Sequence, residues 1–299
     1  MARVASGKLA RGRARASGQR SRRRVADGLH YAALGLLAAL FMFPFFWTVA
    51  SSLKQIPELF SFPPTILPAV PQWENYARVM EKVPFLTWVW NTLVLVVLGT
   101  LGTLVSGSLA AYAFARFRFP GRDLLFVVTL GTLMLPAQVT LIPQYFLFHQ
   151  LGWINTLKPL WVPAWFGGGA FTIFLLRQFL MTLPRELDEA AMIDGAGPFR
   201  VYWAILMPLC RAALATVAII SIIGRWNEFL EPLVYLTSSE TFTLAVGLQY
   251  FKSVPERAGT PMEHLLMAAS VMTIVPCLVL FFCAQRYFVR GIALSGIKG

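Results

Sequence analysis

Charge is what this chain lacks most. Asp, Glu, Lys and Arg make up only 13% of its 299 residues, about half the share of a soluble domain, while 57% of residues are hydrophobic. With a mean hydropathy of +0.63, a soluble globular fold is excluded. Cysteine is nearly absent: Cys210, Cys277 and Cys283 have no ligand partners at metal-binding spacing, and His30, His149 and His264 are scattered. That rules out a zinc site or a disulfide framework. No Gly-rich phosphate loop with its Lys-Ser/Thr ending occurs, nor a Gly-flanked Ser nucleophile, nor a paired-His helix motif. The chain therefore carries no recognisable nucleotide cradle and no catalytic constellation of its own.

What is present is a series of long uncharged stretches: 28–53, 83–115, 124–157, 159–176 and 264–285. Each is long enough to cross a hydrocarbon core of about 30 Å. The pattern predicts an all-α membrane protein with six transmembrane helices, at 29–52, 88–114, 124–147, 157–176, 212–236 and 265–288. Residues 1–28 hold nine Lys and Arg among Gly, Ala and Ser, and read as a disordered basic tail; residues 29–299 form the six-span domain. No small-residue cleavage site follows the first span, so it reads as an uncleaved helix and not as a signal peptide.

Basic residues outnumber acidic ones by 26 to 14, which in a soluble chain would suggest nucleic acid. Here their placement gives another explanation. Nineteen Lys and Arg fall on the side of the two termini, six on the other side, and Arg225 lies within a span. The positive-inside rule then puts both termini in the cytoplasm, and no nucleic-acid partner is expected.

Three segments depart from plain apolar helix. Six prolines between residues 53 and 87 deny that external segment a long helix, leaving room for a short one around residues 73–82. Gly167, Gly168 and Gly169 interrupt the fourth span, either allowing close helix packing, the favoured reading, or breaking the helix. Arg225 lies 14 residues past Arg211, about 21 Å along a helix and well inside the bilayer. Glu228 at i+3 offers it an intramembrane ion pair. Trp226, Asn227 and Glu228 are candidates to line a substrate pathway, the indole stacking on a sugar face and the polar groups accepting hydroxyls. An ion pair at a subunit interface is the competing reading.

The loop 177–211 reads as structured. Pro184 suits a first helical turn, Glu186, Asp188 and Glu189 place acid at the positive end of the dipole, and Gly195 ends the helix. Glu189-Ala190-Ala191, then Asp194-Gly195-Ala196, then Ile205 and Leu206-Met207-Pro208 resemble the EAA signature of inner-membrane permease subunits of bacterial ABC importers. Ala111 to Arg116 with Phe119-Pro120-Gly121, Pro143-Gln144-Tyr145, Trp226 to Leu230 with Pro232-Leu233, and the terminal Gly296-Ile297-Lys298-Gly299 are similar to the maltose-type carbohydrate-uptake branch.

The resemblance implies a MetI-like ABC permease fold with a cytoplasmic coupling helix, working in binding-protein-dependent sugar import across the bacterial cytoplasmic membrane. It implies a second permease subunit, most simply in a heterodimer, two cytoplasmic ABC ATPase subunits and an extracytoplasmic solute-binding protein. ATP and Mg would reside on the ATPase subunits, with no cofactor on this chain. ATPase coupling is expected at Glu189, Ala190, Ala191, Asp194, Gly195, Ala196 and Pro208. The alternative is a proton-coupled secondary transporter using Glu228 and Glu231 as a relay.

Overall fold

The computed structural model describes residues 2–253 and 262–295. The terminal Gly296-Ile297-Lys298-Gly299 motif lies outside the described residues. Helices and turns account for all regular structure among them, and two compact units are distinguished, Met1–Gln72 and Trp73–Gly299.

The first unit is dominated by α1, Ala2–Ser52, whose apolar stretch Asp27–Ser52 is long enough to cross a bilayer. Helical backbone runs from Ala2 through the basic stretch into this apolar one. The apolar side chains from Leu29 to Phe46 are largely exposed within this chain, as a surface facing lipid or another subunit requires. After α1, Lys54 is buried, its ammonium over the Trp47 ring at 4.7 Å and donating to the Thr65 carbonyl.

The second unit opens with α2, Glu74–Lys82, the short helix expected among the prolines. Then α3, Phe85–Arg116, forms the central span. Around it stand α4 (Arg122–Gly131), α5 (Ala137–Gln150), α6 (Ala170–Thr182), α7 (Glu186–Ile193), α8 (Arg211–Asn227), α9 (Leu230–Tyr235), α10 (Leu244–Ser253) and α11 (Glu263–Ser295). Helices α6 and α8 pack most extensively on α3. Small residues on α3 permit this approach: a Cβ at Gly102 would lie 2.5 Å from the Trp165 ring, and one at Gly107 would lie 2.7 Å from Thr172.

Three of the six expected spans are broken, for identifiable reasons. The third is two helical segments, Arg122–Met134 and Ala137–Gln150, bent by 101°. Pro136 forces Leu135 into an extended conformation, φ −82° and ψ 119°, so one continuous helix cannot form. The fourth begins at Lys158, loses helical geometry at Phe166–Gly169 and resumes in α6. Gly167, Gly168 and Gly169 all have positive φ, and a Cβ on Gly168 would fall 2.5 Å from the Thr103 carbonyl oxygen. The triplet thus breaks the helix and packs it closely, the two readings being one feature. A side chain compensates the freed backbone, Ser106 Oγ donating to the Ala164 carbonyl (2.8 Å), and Trp165 Nε1 ties the segment to α3 by donating to the Leu98 carbonyl (3.1 Å). The fifth stops at Asn227, because Glu228 is extended (ψ 124°), and α9 follows as a separate piece.

Three apolar clusters hold this unit. One joins Ala111 and Tyr112 of α3 to Leu176 and Leu180 of α6, Ala191 of α7, and Tyr202 and Leu206 of the following segment. A second gathers Val79, Trp88, Trp226, Leu244 and Leu265. The third packs Leu95 with Phe148, Leu160 and Tyr235.

Candidate functional site

Two places concentrate chemistry in the second unit: the loop around α7, and a cavity beside Arg225.

Helix α7 starts where the Arg185 carbonyl accepts hydrogen bonds from the N–H groups of Asp188 (2.9 Å) and Glu189 (3.1 Å). It ends in a paired-bond reversal: Ala196 N donates to the Ala191 carbonyl (2.9 Å) and Gly195 N to the Met192 carbonyl (3.0 Å). This is the Schellman arrangement, which requires left-handed backbone at one residue, and Gly195 supplies it with φ 81°. A Cβ there would meet no atom within 4 Å, so the glycine answers to backbone geometry and not to crowding.

The inner face of α7 is fixed to the bundle. Ala191 packs in the cluster with Ala111, Tyr112 and Tyr202, and Asp188 Oδ2 lies 2.7 Å from Arg116 Nε at the end of α3. Both side chains are buried, 6% exposed for Arg116 and 10% for Asp188, and Arg116 also donates to the Leu183 carbonyl (3.1 Å). Burial pushes the Asp188 carboxyl above the ordinary carboxylate range, more than the neighbouring Arg116 and Arg185 pull it down. The segment after α7 is tied to α3 as well: Tyr112 Oη donates to the Pro198 carbonyl (3.0 Å), and the Ser108 and Tyr202 hydroxyls are 2.8 Å apart. Residues Val201–Leu206 form a π-helical turn, a geometry frequent at functional positions.

The outer face is exposed among the described residues. Glu189, Ala190, Asp194 and Pro208 are exposed and Ala196 is half-buried. Beside them stand Ile193, Phe199 and Trp203, which are 87%, 71% and 66% exposed. Large apolar side chains so exposed around a polar helix form a surface suited to another protein. Of the seven expected coupling residues, Ala191 alone is buried; it holds the helix in place from beneath.

The cavity beside Arg225 has a volume of about 340 Å³ and takes polar lining from Thr103, Thr172, Ser221, Arg225, Glu228 and Glu231. The guanidinium donates to the Leu160 carbonyl (2.9 Å), Thr103 Oγ1 (3.3 Å) and Ser221 Oγ (3.3 Å). Gly99 leaves the room it occupies, since a Cβ there would collide with the guanidinium.

The expected Arg225 to Glu228 ion pair is not formed. No ion pair within 4 Å joins them among the described residues. The i+3 argument assumes a helix, and α8 ends at Asn227 just before Glu228. Both charges line the same cavity instead, together with Glu231. Trp226 also differs from expectation: it is buried in the cluster with Val79 and Trp88. Asn227 is exposed and its amide donates back to the Ile223 carbonyl (2.8 Å). Only Glu228 of the expected pathway trio lines the cavity. Thr103, Thr172 and Ser221 were not legible as lining, because isolated hydroxyls in apolar helices usually bond their own backbone.

Comparison with known proteins identifies the family and the fold. Residues 103–294 match the family described as binding-protein-dependent transport system inner membrane component. The sn-glycerol-3-phosphate transport system permease protein UgpE of Yersinia enterocolitica is 33% identical over 86% of this chain and 92% of its own length. The arabinooligosaccharides transport system permease protein AraQ of Halalkalibacterium halodurans is 33% identical over 88% of this chain and 93% of its own. The trehalose/maltose transport system permease protein MalG of Thermococcus litoralis is 33% identical over 88% and 94%. Among solved structures, a bacterial ABC transporter involved in the import of the acidic polysaccharide alginate superposes with a TM-score of 0.79 at 25% identity, covering 89% of this chain and 97% of that one. With the family profile spanning most of the bundle and relatives matching nearly end to end, the chain belongs to the binding-protein-dependent transport system inner membrane components, the membrane-spanning, non-enzymatic permease subunits of ABC importers.

Proposed function

We propose that this subunit forms half of the translocation pathway of an ATP-driven importer for a neutral sugar or oligosaccharide. It couples to separate ATPase subunits through α7 and the segment after it. The observation that carries the coupling role is the two-faced character of α7: one face bolted to α3 by Ala191 and the buried Arg116–Asp188 pair, the other presenting Glu189, Ala190 and Ile193. A partner that grips the outer face moves the inner one with it, and a bundle with two stable arrangements converts that movement into alternating access. Glu189 offers a charge-assisted hydrogen bond to a basic residue on the ATPase, and Ala190 allows close approach.

In this reading both termini and the α7 loop are cytoplasmic, as the distribution of Lys and Arg requires. The partners are a second permease subunit, two ATPase subunits carrying ATP and Mg, and an extracytoplasmic solute-binding protein. The named relatives carry substrates from a phosphate ester to neutral oligosaccharides at equal identity, so likeness does not choose among them. The cavity lining supports a neutral sugar: one guanidinium faces two carboxylates among three hydroxyl side chains. Such a lining suits sugar hydroxyls and disfavours a phosphate ester, which needs converging cations.

The test is uptake in proteoliposomes holding the assembled importer. Uptake should require internal ATP, and neutral oligosaccharides should compete for it. Blockade by a phosphate ester and by no neutral sugar would overturn the substrate class; uptake driven by an ion gradient in the chain alone would overturn the importer reading.

A further inference from the structure

At the end of the bundle that carries α7, four arginines line one cavity of about 160 Å³. Arg116 ends α3, Arg122 opens α4, Arg177 lies in α6 and Arg185 immediately precedes α7. Phe114 and Met181 complete its apolar wall. Four arginines lining one space carry like charge, which is unfavourable unless negative charge lies close by. The chain supplies part of that charge: Asp188 pairs with Arg116 at 2.7 Å and Asp123 with Arg122 at 2.8 Å. Neither Arg177 nor Arg185 makes an ion pair among the described residues. By formal charge the four arginines exceed Asp188 and Asp123 by two, although Asp188 also feels Arg185.

Arg177 is held in position. Its guanidinium sits over the Phe126 ring at 4.1 Å, and Nε donates to the Phe114 carbonyl at 3.4 Å. A guanidinium fixed by one N–H and one ring face still has its two terminal nitrogens, the fork that binds oxyanions bidentately. The cavity has the volume of about five liquid waters at roughly 30 Å³ each, room enough for one tetrahedral oxyanion. Exposed apolar side chains stand near it. Met181 is 52% exposed and Leu124 68% exposed, so an apolar surface runs beside the basic space.

We propose that this cavity is a binding site for a phosphate group, held chiefly by Arg177 and Arg185 with Arg122 at its edge. The phosphate is that of an anionic phospholipid headgroup or a free phosphate ion. The site is separate from the Arg225 cavity and does not depend on the sugar assigned to that cavity. Its place gives it a consequence: the Arg185 carbonyl accepts the first backbone bonds of α7, from Asp188 and Glu189. An occupant gripping the Arg185 side chain braces the start of the helix that faces the partner subunit.

The test uses the full chain, purified in neutral detergent with its accompanying subunits. One series is titrated with dihexanoylphosphatidylglycerol and another with inorganic phosphate, each followed by thermal shift. The same samples are treated with phenylglyoxal, and arginine modification is mapped by mass spectrometry. At least one probe should bind saturably and protect Arg177 and Arg185. Binding should weaken about tenfold or more when Arg177→Gln and Arg185→Gln are combined, as expected for lost charge-assisted bonds. The Arg177→Lys, Arg185→Lys pair should retain much of it. A response to the lipid alone assigns the site to a headgroup; a response to inorganic phosphate as well assigns it to the free ion. Absence of protection of both arginines by either probe overturns the proposal without requiring any variant to fold, as does binding that the Gln pair leaves unchanged.

Discussion

Removing the Asp188 carboxylate isolates the link between α7 and the bundle. In Asp188→Ala the Arg116 guanidinium stays where it is, 6% exposed, with the Leu183 carbonyl as its remaining partner. Leaving one member of a buried pair uncompensated costs about 3 to 5 kcal/mol. At roughly 2 to 4 °C per kcal/mol for a unit of this size, the thermal midpoint should fall by on the order of ten degrees. The pair as a whole is worth much less, because burial raises the Asp188 carboxyl by more than Arg116 lowers it. Combining Arg116→Met with Asp188→Leu should therefore recover most of the lost stability, since apolar side chains of similar volume replace a buried ion pair at little cost. The assay is thermal unfolding of the detergent-purified chain, wild type against single and double variants. If the single change shifts stability by less than about 1 kcal/mol, or the double variant is no better than the single, the pair is not the buried link described above.

Gly195→Val should leave insertion intact while uncoupling ATP hydrolysis from uptake, because a β-branched residue at φ 81° strains the turn by about 1 to 3 kcal/mol; unchanged transport per ATP would remove the turn from the coupling argument. Gly168→Ala should lower folded yield, since its Cβ would lie 2.5 Å from the Thr103 oxygen and 2.8 Å from the Gly107 Cα, an overpacking cost of about 1 to 3 kcal/mol; a wild-type gel-filtration profile would show that the helices separate freely. Arg225→Ala should impair assembly, and Glu228→Gln alone should restore it only in part, because Glu231 remains and the Leu160 carbonyl has lost its donor; full rescue by Glu228→Gln would revive a direct pair. The Asp188 shift fixes a sign for pH: a carboxyl raised in the folded state stabilises most when protonated, below about pH 4, and that contribution is lost as pH rises through its folded value. The stability of wild type relative to Asp188→Asn should therefore decline from pH 4 towards 7, and a rise would reverse the assigned cause.

The spans and the α7 loop were legible because each rests on local pattern: apolar length, acid in a first turn, a glycine four residues past a small-residue pair. The breaks were harder to see. Pro136 acts on hydrogen bonding within an uncharged stretch, so composition reads straight through it, and at Glu228 the polar run from Arg225 to Glu231 does not by itself say where the helix stops. The Arg225 to Glu228 pairing failed because i+3 spacing has meaning only while the helix continues. Trp226 was assigned to a pathway on its chemistry, yet its neighbours Val79, Trp88 and Leu265 come from distant parts of the chain. The Arg116–Asp188 contact was out of reach for the same reason, although both residues stand within recognisable segments. The proton-relay alternative drew on Glu228 and Glu231 alone, and the family match lends it no support.

The most direct measurement is affinity purification of the full chain from its native membrane in mild detergent, with co-purifying chains identified by mass spectrometry for wild type and for Ala190→Trp. Wild type should bring down a second multi-span permease and an ATPase with a nucleotide-binding loop, and the bulky change on the outer face of α7 should release the ATPase while keeping the permease partner. Recovery of wild type alone, even after crosslinking, or an ATPase that stays bound to Ala190→Trp with undiminished coupled uptake, would contradict the assignment of this helix as the contact through which ATP drives the chain.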